Sequence, residues 1–222
     1  RLLDFSFNWG SIFKGERIFE VLKDLVGDRQ IEDLDRGYTA VATALDEQRE
    51  VWLNEGSLFR AMRASCSVPG VFSPVELNGQ LLVDGGLVNP IPIAPTLNDS
   101  TDLTIAVNLN AMPSAHERRL QKRRRRDRKI DPEHRNKIKQ FIDQWFSSDE
   151  REDDGLAAAE VLTRSIDVMQ GAIARLKLAA YAPDEVIEIP RDAASFFEFH
   201  RAEELADLGY EKTREVLAQL DC

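Results

Sequence analysis

Apolar positions recur at helical spacing between Glu16 and Val26. Ile18, Val21, Leu22 and Leu25 share one face, which predicts a short amphipathic helix. The run Tyr38 to Leu45 (YTAVATAL) is β-rich and mostly apolar, so it predicts a buried strand, with Glu50 to Leu53 as its pairing partner. Ser57 stands where an N-cap would open a helix over Leu58 to Ala64. Asn78-Gly79, between Val75-Glu76-Leu77 and Gln80-Leu81-Leu82-Val83, has the form of a two-residue hairpin turn that ends on Asp84. A helix from Pro92 and a short buried strand over Leu103 to Asn108 follow. Strands alternating with helices predict an α/β sheet with helices on both faces.

The pattern changes after Asn110. Arg118 to Lys129 is almost purely basic, with Leu120 its one apolar residue before Ile130. Asp131-Pro132 then caps a helix carrying Ile138, Phe141, Ile142 and Trp145 on one face. Ser147 to Gly155 forms an acidic linker. A long helix over Leu156 to Ala182 shows the apolar stripe Leu162, Ile166, Met169, Ile173 and Leu176, read as core or helix-packing surface. Val186 to Ile189 predicts a last strand ended by Pro190, and residues 201–220 a closing helix. There is no internal repeat.

At 222 residues, with 43% apolar and 31% charged side chains, the chain suits one large α/β domain with a real core. No apolar stretch approaches a membrane span, and no secretory signal is visible. The chain opens on Arg1 rather than Met, so that absence says little about targeting. Cys66 and Cys222 make neither a disulfide framework nor a metal-ligand spacing, which favours a reducing compartment. Charge is strongly asymmetric. Between Glu117 and Lys139, twelve Lys/Arg face four Asp/Glu, a net of +8, which leaves −18 on the rest of a chain whose total is −10. An acidic body with one basic strip is not the pattern of a nucleic-acid domain.

The run Val83-Asp84-Gly85-Gly86-Leu87-Val88-Asn89-Pro90 carries the chemistry. It sets one carboxylate at a strand end, on a turn made permissive by two glycines, among apolar neighbours. Two readings are open. Asp-Gly is a common turn pair, yet loops at sheet ends are where α/β folds place their sites. A carboxylate there can take a proton from a nucleophile, and burial against Val83, Leu87 and Val88 would strengthen it as a base. Ser65, Cys66 and Ser67 lack a strand–elbow–helix signature and read as packing or capping residues. His200 precedes the closing helix and reads as a capping or surface residue; His116 and His134 lie in charged sequence. No metal set and no cofactor site emerges.

The stretch from Arg63-Ala64-Ser65 through Pro69-Gly70 and Phe72-Ser73-Pro74 to Asp84-Gly85-Gly86 and Asn89-Pro90 resembles the patatin-like phospholipase family. Further similarity runs through Leu2-Leu3-Asp4 to Gly15, Thr39 to Asp46, and Phe199-His200-Arg201-Ala202-Glu203-Glu204-Leu205. The resemblance implies a three-layer α/β/α sandwich whose Ser–Asp dyad hydrolyses lipid acyl esters without histidine. Asp84 would be the dyad base, Gly85 and Gly86 would shape its loop, and Asn89 and Pro90 would hold the far side. The family's Gly-x-Ser-x-Gly and its upstream Gly-rich turn are absent from these 222 residues. The expectation is therefore a C-terminal part of the domain, beginning after the nucleophile and inactive alone. Residues 1–111 would carry the Asp-Gly-Gly loop, 112–155 a charged insertion, and 156–222 the helical remainder. The N-terminal half of the domain would be a partner, and exposed sheet edges would favour self-association.

The basic strip Lys122, Arg123, Arg124, Arg125, Arg126, Arg128 and Lys129 has three readings. It is a solvated segment partly neutralised by Asp149 to Asp154, a peripheral contact with anionic membrane, or, third, a nucleic-acid patch without a stacking platform. A noncatalytic membrane- or protein-binding module acting through this strip is the competing class. The implied location is cytoplasmic or peripheral to a membrane.

Overall fold

The computed structural model describes residues 14–113, 152–194, 198 and 201–220. These divide into two units. One draws on Arg1–Ala106 and Ala172–Asp184, the other on Val107–Gly171 and Glu185–Cys222.

In the first unit, α1 (Glu16–Val26) precedes β1 (Ala40–Ala44), β2 (Arg49–Leu53), α2 (Leu58–Ser65), β3 (Val75–Leu77) and β4 (Gln80–Asp84). The four strands form one sheet in the order β2-β1-β4-β3, with each neighbouring pair antiparallel. All five residues of β1 are buried, as its apolar run predicts for a central strand. Asn78 and Gly79 both take positive φ, 53° and 76°, so the β3–β4 turn is the hairpin expected from Asn-Gly. α2 packs on β1 and β4, and Ala42, Ala44, Ala64 and Leu82 close the core between them. Ser57 takes the N-cap position of α2, although its hydroxyl makes no capping bond.

Past the sheet, Pro90, Pro92 and Pro95 withhold backbone donors. In place of the expected helix from Pro92 there is only a single 3-10 turn, Ala94–Thr96. Ile91, Ile93 and Ala106 bury against Ala174, with Leu178 and Tyr181 alongside, on α3 (Glu152–Tyr181). Of the expected apolar stripe, Ile166, Met169 and Leu176 are exposed and Ile173 is half-buried. On this helix Ala174 is buried in that cluster, with Leu178 and Tyr181 partly buried against it.

In the second unit, β5 (Ile105–Ala111, whose first two residues belong to the first unit) pairs with β6 (Glu185–Pro190), and α4 (Ala202–Leu220) packs on β6. Arg201 secures the start of α4. Its guanidinium donates to the Ala193 carbonyl at 2.7 Å, to Glu198 at 2.7 Å and to both oxygens of Glu204. Those carboxylates push its proton affinity further up. Helices and sheets thus give the α/β class expected. No helix among the described residues is long and apolar enough to cross a membrane.

Candidate active site

Asp84 ends β4 opposite Ala42 of the central strand. Its backbone is fixed twice more: its N–H donates to the Ser67 carbonyl at 3.0 Å, and its carbonyl accepts from the Thr43 hydroxyl at 2.9 Å. The chain then enters a 3-10 turn, Gly85–Leu87, with Asp84 as its cap. The Gly86 N–H donates to Asp84 Oδ1 at 2.6 Å, and it is the carboxylate's one donor among the described residues. Burial pushes the proton affinity of Asp84 up, and the Gly86 bond pulls against it. The result is a carboxylate biased toward the stronger base.

Both glycines are used. A Cβ on Gly85 would lie 2.2 Å from the Val41 carbonyl oxygen, so only glycine lets the turn cross β1 this closely. Gly86 lends its N–H to the carboxylate. Beyond the turn, Asn89 is buried at 2% exposure, and its N–H donates to the Gly85 carbonyl at 2.8 Å. Its side-chain Nδ2 donates to Glu50 Oε2 at 2.6 Å. Pro90 follows directly and is half-buried.

The residues just after α2 are structural. Ser67 is fully buried, and its hydroxyl donates to the Arg63 carbonyl at 2.7 Å while accepting from Arg63 Nη1 at 2.6 Å. Neither role leaves it free for attack. The Cys66 thiol is pushed up by burial and by the nearby Asp84 charge, against the pull of Arg63. That opposes thiolate formation. The structure therefore brings Asp84, Gly85, Gly86, Asn89 and Pro90 into one loop. The basic strip from Lys122 to Lys129, together with His116, His134 and His200, falls outside the described residues. Thr43, Arg63 and Glu50 support this region; Arg63 opens the Arg-Ala-Ser motif and Thr43 lies in the Thr39 to Asp46 similarity, whereas no motif marked Glu50. No group of three or more His, Cys, Asp or Glu able to hold a metal occurs among the described residues.

These features define an α/β protein with an acidic loop at the end of a sheet strand. The chain belongs to the patatin-like phospholipase family, whose family model matches residues 1–97. It is 35% identical over 259 residues to an uncharacterized NTE family protein of Mycobacterium tuberculosis, a match that spans 94% of this chain and 70% of that protein. A counterpart in Mycobacterium bovis matches equally. The mouse patatin-like phospholipase domain-containing protein 7 is 31% identical over 112 residues, spanning 50% of this chain and 8% of the relative. The family is one of lipid-acting hydrolases, and its fold is of the α/β/α kind.

Proposed function

We propose that this chain supplies the base of a lipid acyl-ester hydrolase, with Asp84 as the acid–base partner of a serine that these 222 residues do not include. The reading rests chiefly on the Asp84 carboxylate, which is half-buried, pushed toward a higher proton affinity by that burial, and held at a strand end by a single N–H donor. Asp84 takes the serine hydroxyl proton as the serine oxygen bonds to the ester carbonyl carbon. The tetrahedral intermediate then collapses, the C–O bond to the alcohol breaks, and Asp84 returns the proton to the departing alkoxide. Water repeats the sequence on the acyl-enzyme: Asp84 accepts its proton, the acid is released, and the serine is reprotonated. Gly85 and Gly86 place the carboxylate, and Asn89 and Pro90 hold the loop's exit.

The substrate class is lipid or acyl ester, and no metal or cofactor enters these steps. The basic strip from Lys122 to Lys129 would bring the enzyme to anionic membrane surfaces. The test uses the natural full-length protein, assayed on p-nitrophenyl butyrate and on phospholipid vesicles. Asp84→Asn should lower kcat about 10²–10⁴-fold, the usual worth of a general base. The 222-residue polypeptide should show no turnover of its own. Turnover by that polypeptide, lost on Asp84→Asn, would defeat the proposal of a serine outside it. Unchanged activity of the full-length Asp84→Asn protein would instead defeat the role given to Asp84. Vesicle binding without hydrolysis, indifferent to Asp84, would mark a binding module.

A further inference from the structure

We infer that Glu50 is a positioning residue for the Asp84 loop, acting across the sheet through the Asn89 side chain with Lys177 as its counter-charge. The inference rests on the reading of Asp84 as the base.

Glu50 lies on β2, paired with Thr43 of β1, and Thr43 in turn pairs with Val83 of β4. The loop leaves β4 at Asp84 and crosses β1, where Gly85 meets the Val41 carbonyl. It ends with Asn89 tied to Glu50 on the far side of that strand, at 2.6 Å. The glycine contact and the Asn89 bond thus belong to one geometry, a turn drawn over β1 and fastened to β2.

Glu50 is equipped for this. Oε2 faces both Asn89 Nδ2 and Lys177 Nζ, the latter at 3.5 Å, and Oε1 accepts from Trp52 Nε1 at 3.2 Å. Its side chain is 25% exposed and that of Lys177 is 22% exposed, so the pair is partly desolvated.

Asn89 Oδ1 is buried with no hydrogen-bond partner among the described residues. An apolar side chain of similar size would avoid that cost, so packing alone does not account for an amide here. Its Nδ2 bond to Glu50 does.

The consequence reaches Asp84 through a short path. Asn89 and Val88 both donate to the Gly85 carbonyl, at 2.8 and 3.2 Å, which closes the turn and aims the Gly86 N–H at Asp84 Oδ1. Untying Asn89 loosens that N–H. Burial then acts on the carboxylate with less opposition, and Asp84 holds its proton to higher pH. The other titratable groups near Asp84 lie on the segment after α2 and on the strand approach. The charges of Arg63 and Asp84 both act on the Cys66 thiol, and Cys66 acts in turn on Tyr38. β1 presents only the Thr43 hydroxyl. None of these contacts the Glu50–Asn89 pair in a way the substitutions would alter.

The experiment uses the natural full-length protein and p-nitrophenyl butyrate, recording kcat, KM and the acidic limb of the pH–rate profile. Asn89→Asp, which removes the donor and sets two carboxylates together, and Glu50→Ala should each lower kcat about 10–100-fold with KM changed less than about twofold. Both should also move the acidic limb to higher pH. Glu50→Gln keeps an acceptor oxygen and should retain most activity.

The exchanged pair, Glu50→Gln with Asn89→Asp, reverses donor and acceptor and leaves a carboxylate for Lys177. It should recover activity and the wild-type limb relative to Asn89→Asp alone. Failure of that recovery overturns the inference, even where Glu50→Ala does not fold. So does a Glu50→Ala protein with unshifted kcat and pH limb while Asp84→Asn is inactive. Full activity in Asp84→Asn is a different result, and removes the base reading along with the inference built on it.

Discussion

Two charged side chains in the same unit, one buried and one half-buried, are treated in opposite ways. Arg63 is 8% exposed and heavily engaged: it donates to the Ser67 hydroxyl and to the carbonyls of Lys14 and Ser73, and lies 5.5 Å over the Phe72 ring. Asp84 is half-buried, and among the described residues its carboxylate accepts one N–H. What is held tightly at Asp84 is the backbone, through Thr43, Ser67 and the pairing with Ala42. The two sites even share Ser67, whose hydroxyl serves Arg63 while its carbonyl serves Asp84. Tying a buried charge to several neighbours makes it a structural element, even though Arg63 Nε keeps no hydrogen-bond partner among the described residues. Fixing its backbone but leaving its lone pairs under-used keeps it reactive.

The largest effect expected from testing this contrast lies on the arginine side. Arg63→Met keeps bulk but strips the donors from two carbonyls and a buried hydroxyl, so it should destabilise the protein by about 3–5 kcal/mol. Urea denaturation of the natural protein reads that loss directly. The fraction that remains folded should keep the wild-type pH–rate profile, because Arg63 acts on the scaffold. A shifted acidic limb would show that Arg63 also tunes Asp84, and the division between the two charges would blur.

The next effect lies on the loop. Gly85→Ala forces a methyl against the Val41 carbonyl, backbone against backbone, where neither atom can swing aside. Overpacking of that kind should reduce stability by about 1–3 kcal/mol. Because the turn itself must shift, kcat should fall by more than the stability change predicts. A stable Gly85→Ala protein with normal kcat would mean that the close crossing of β1 is not what places the carboxylate.

How far such contrasts can be read in sequence depends on their range along the chain. The hairpin was legible because Asn78-Gly79 encodes its own turn, and the candidate loop because it lies in a run, Arg63 to Pro90, that resembles the patatin-like family. β1 was legible because its run is mostly apolar, as suits a central strand. β5 was not. Its apolar run suggested full burial, whereas Ile105, Val107 and Leu109 are exposed and Ala106, Asn108 and Ala111 are buried. Local composition records that a strand is apolar but not which face finds a neighbour. The α3 stripe misled for the same reason: Ile166, Met169 and Leu176 are exposed, while Ala174 is buried. Glu50 gave no sign of its role, because its partners Asn89 and Lys177 stand 39 and 127 positions away.

The smallest effect, and the one that separates the two charges most sharply, concerns stability rather than rate. Burial raises the proton affinity of folded Asp84 above its ordinary value of 3.8, so the folded chain holds that proton more tightly than the unfolded one. The contribution to stability is therefore greatest below pH 3.8 and declines as pH rises through the window up to the raised folded value. Asp84→Asn removes the charge, keeps the shape, and leaves an oxygen to accept the Gly86 N–H. It should melt higher than wild type at pH 7, with the gap narrowing as the pH falls toward and below 3.8. Paired melting curves across that range measure it. A wild type more stable than Asp84→Asn at neutral pH would mean that the ionised carboxylate holds the fold together, as the Arg63 guanidinium does. Asp84 would then be a second structural charge, and the loop would have no evident reason to keep it under-satisfied.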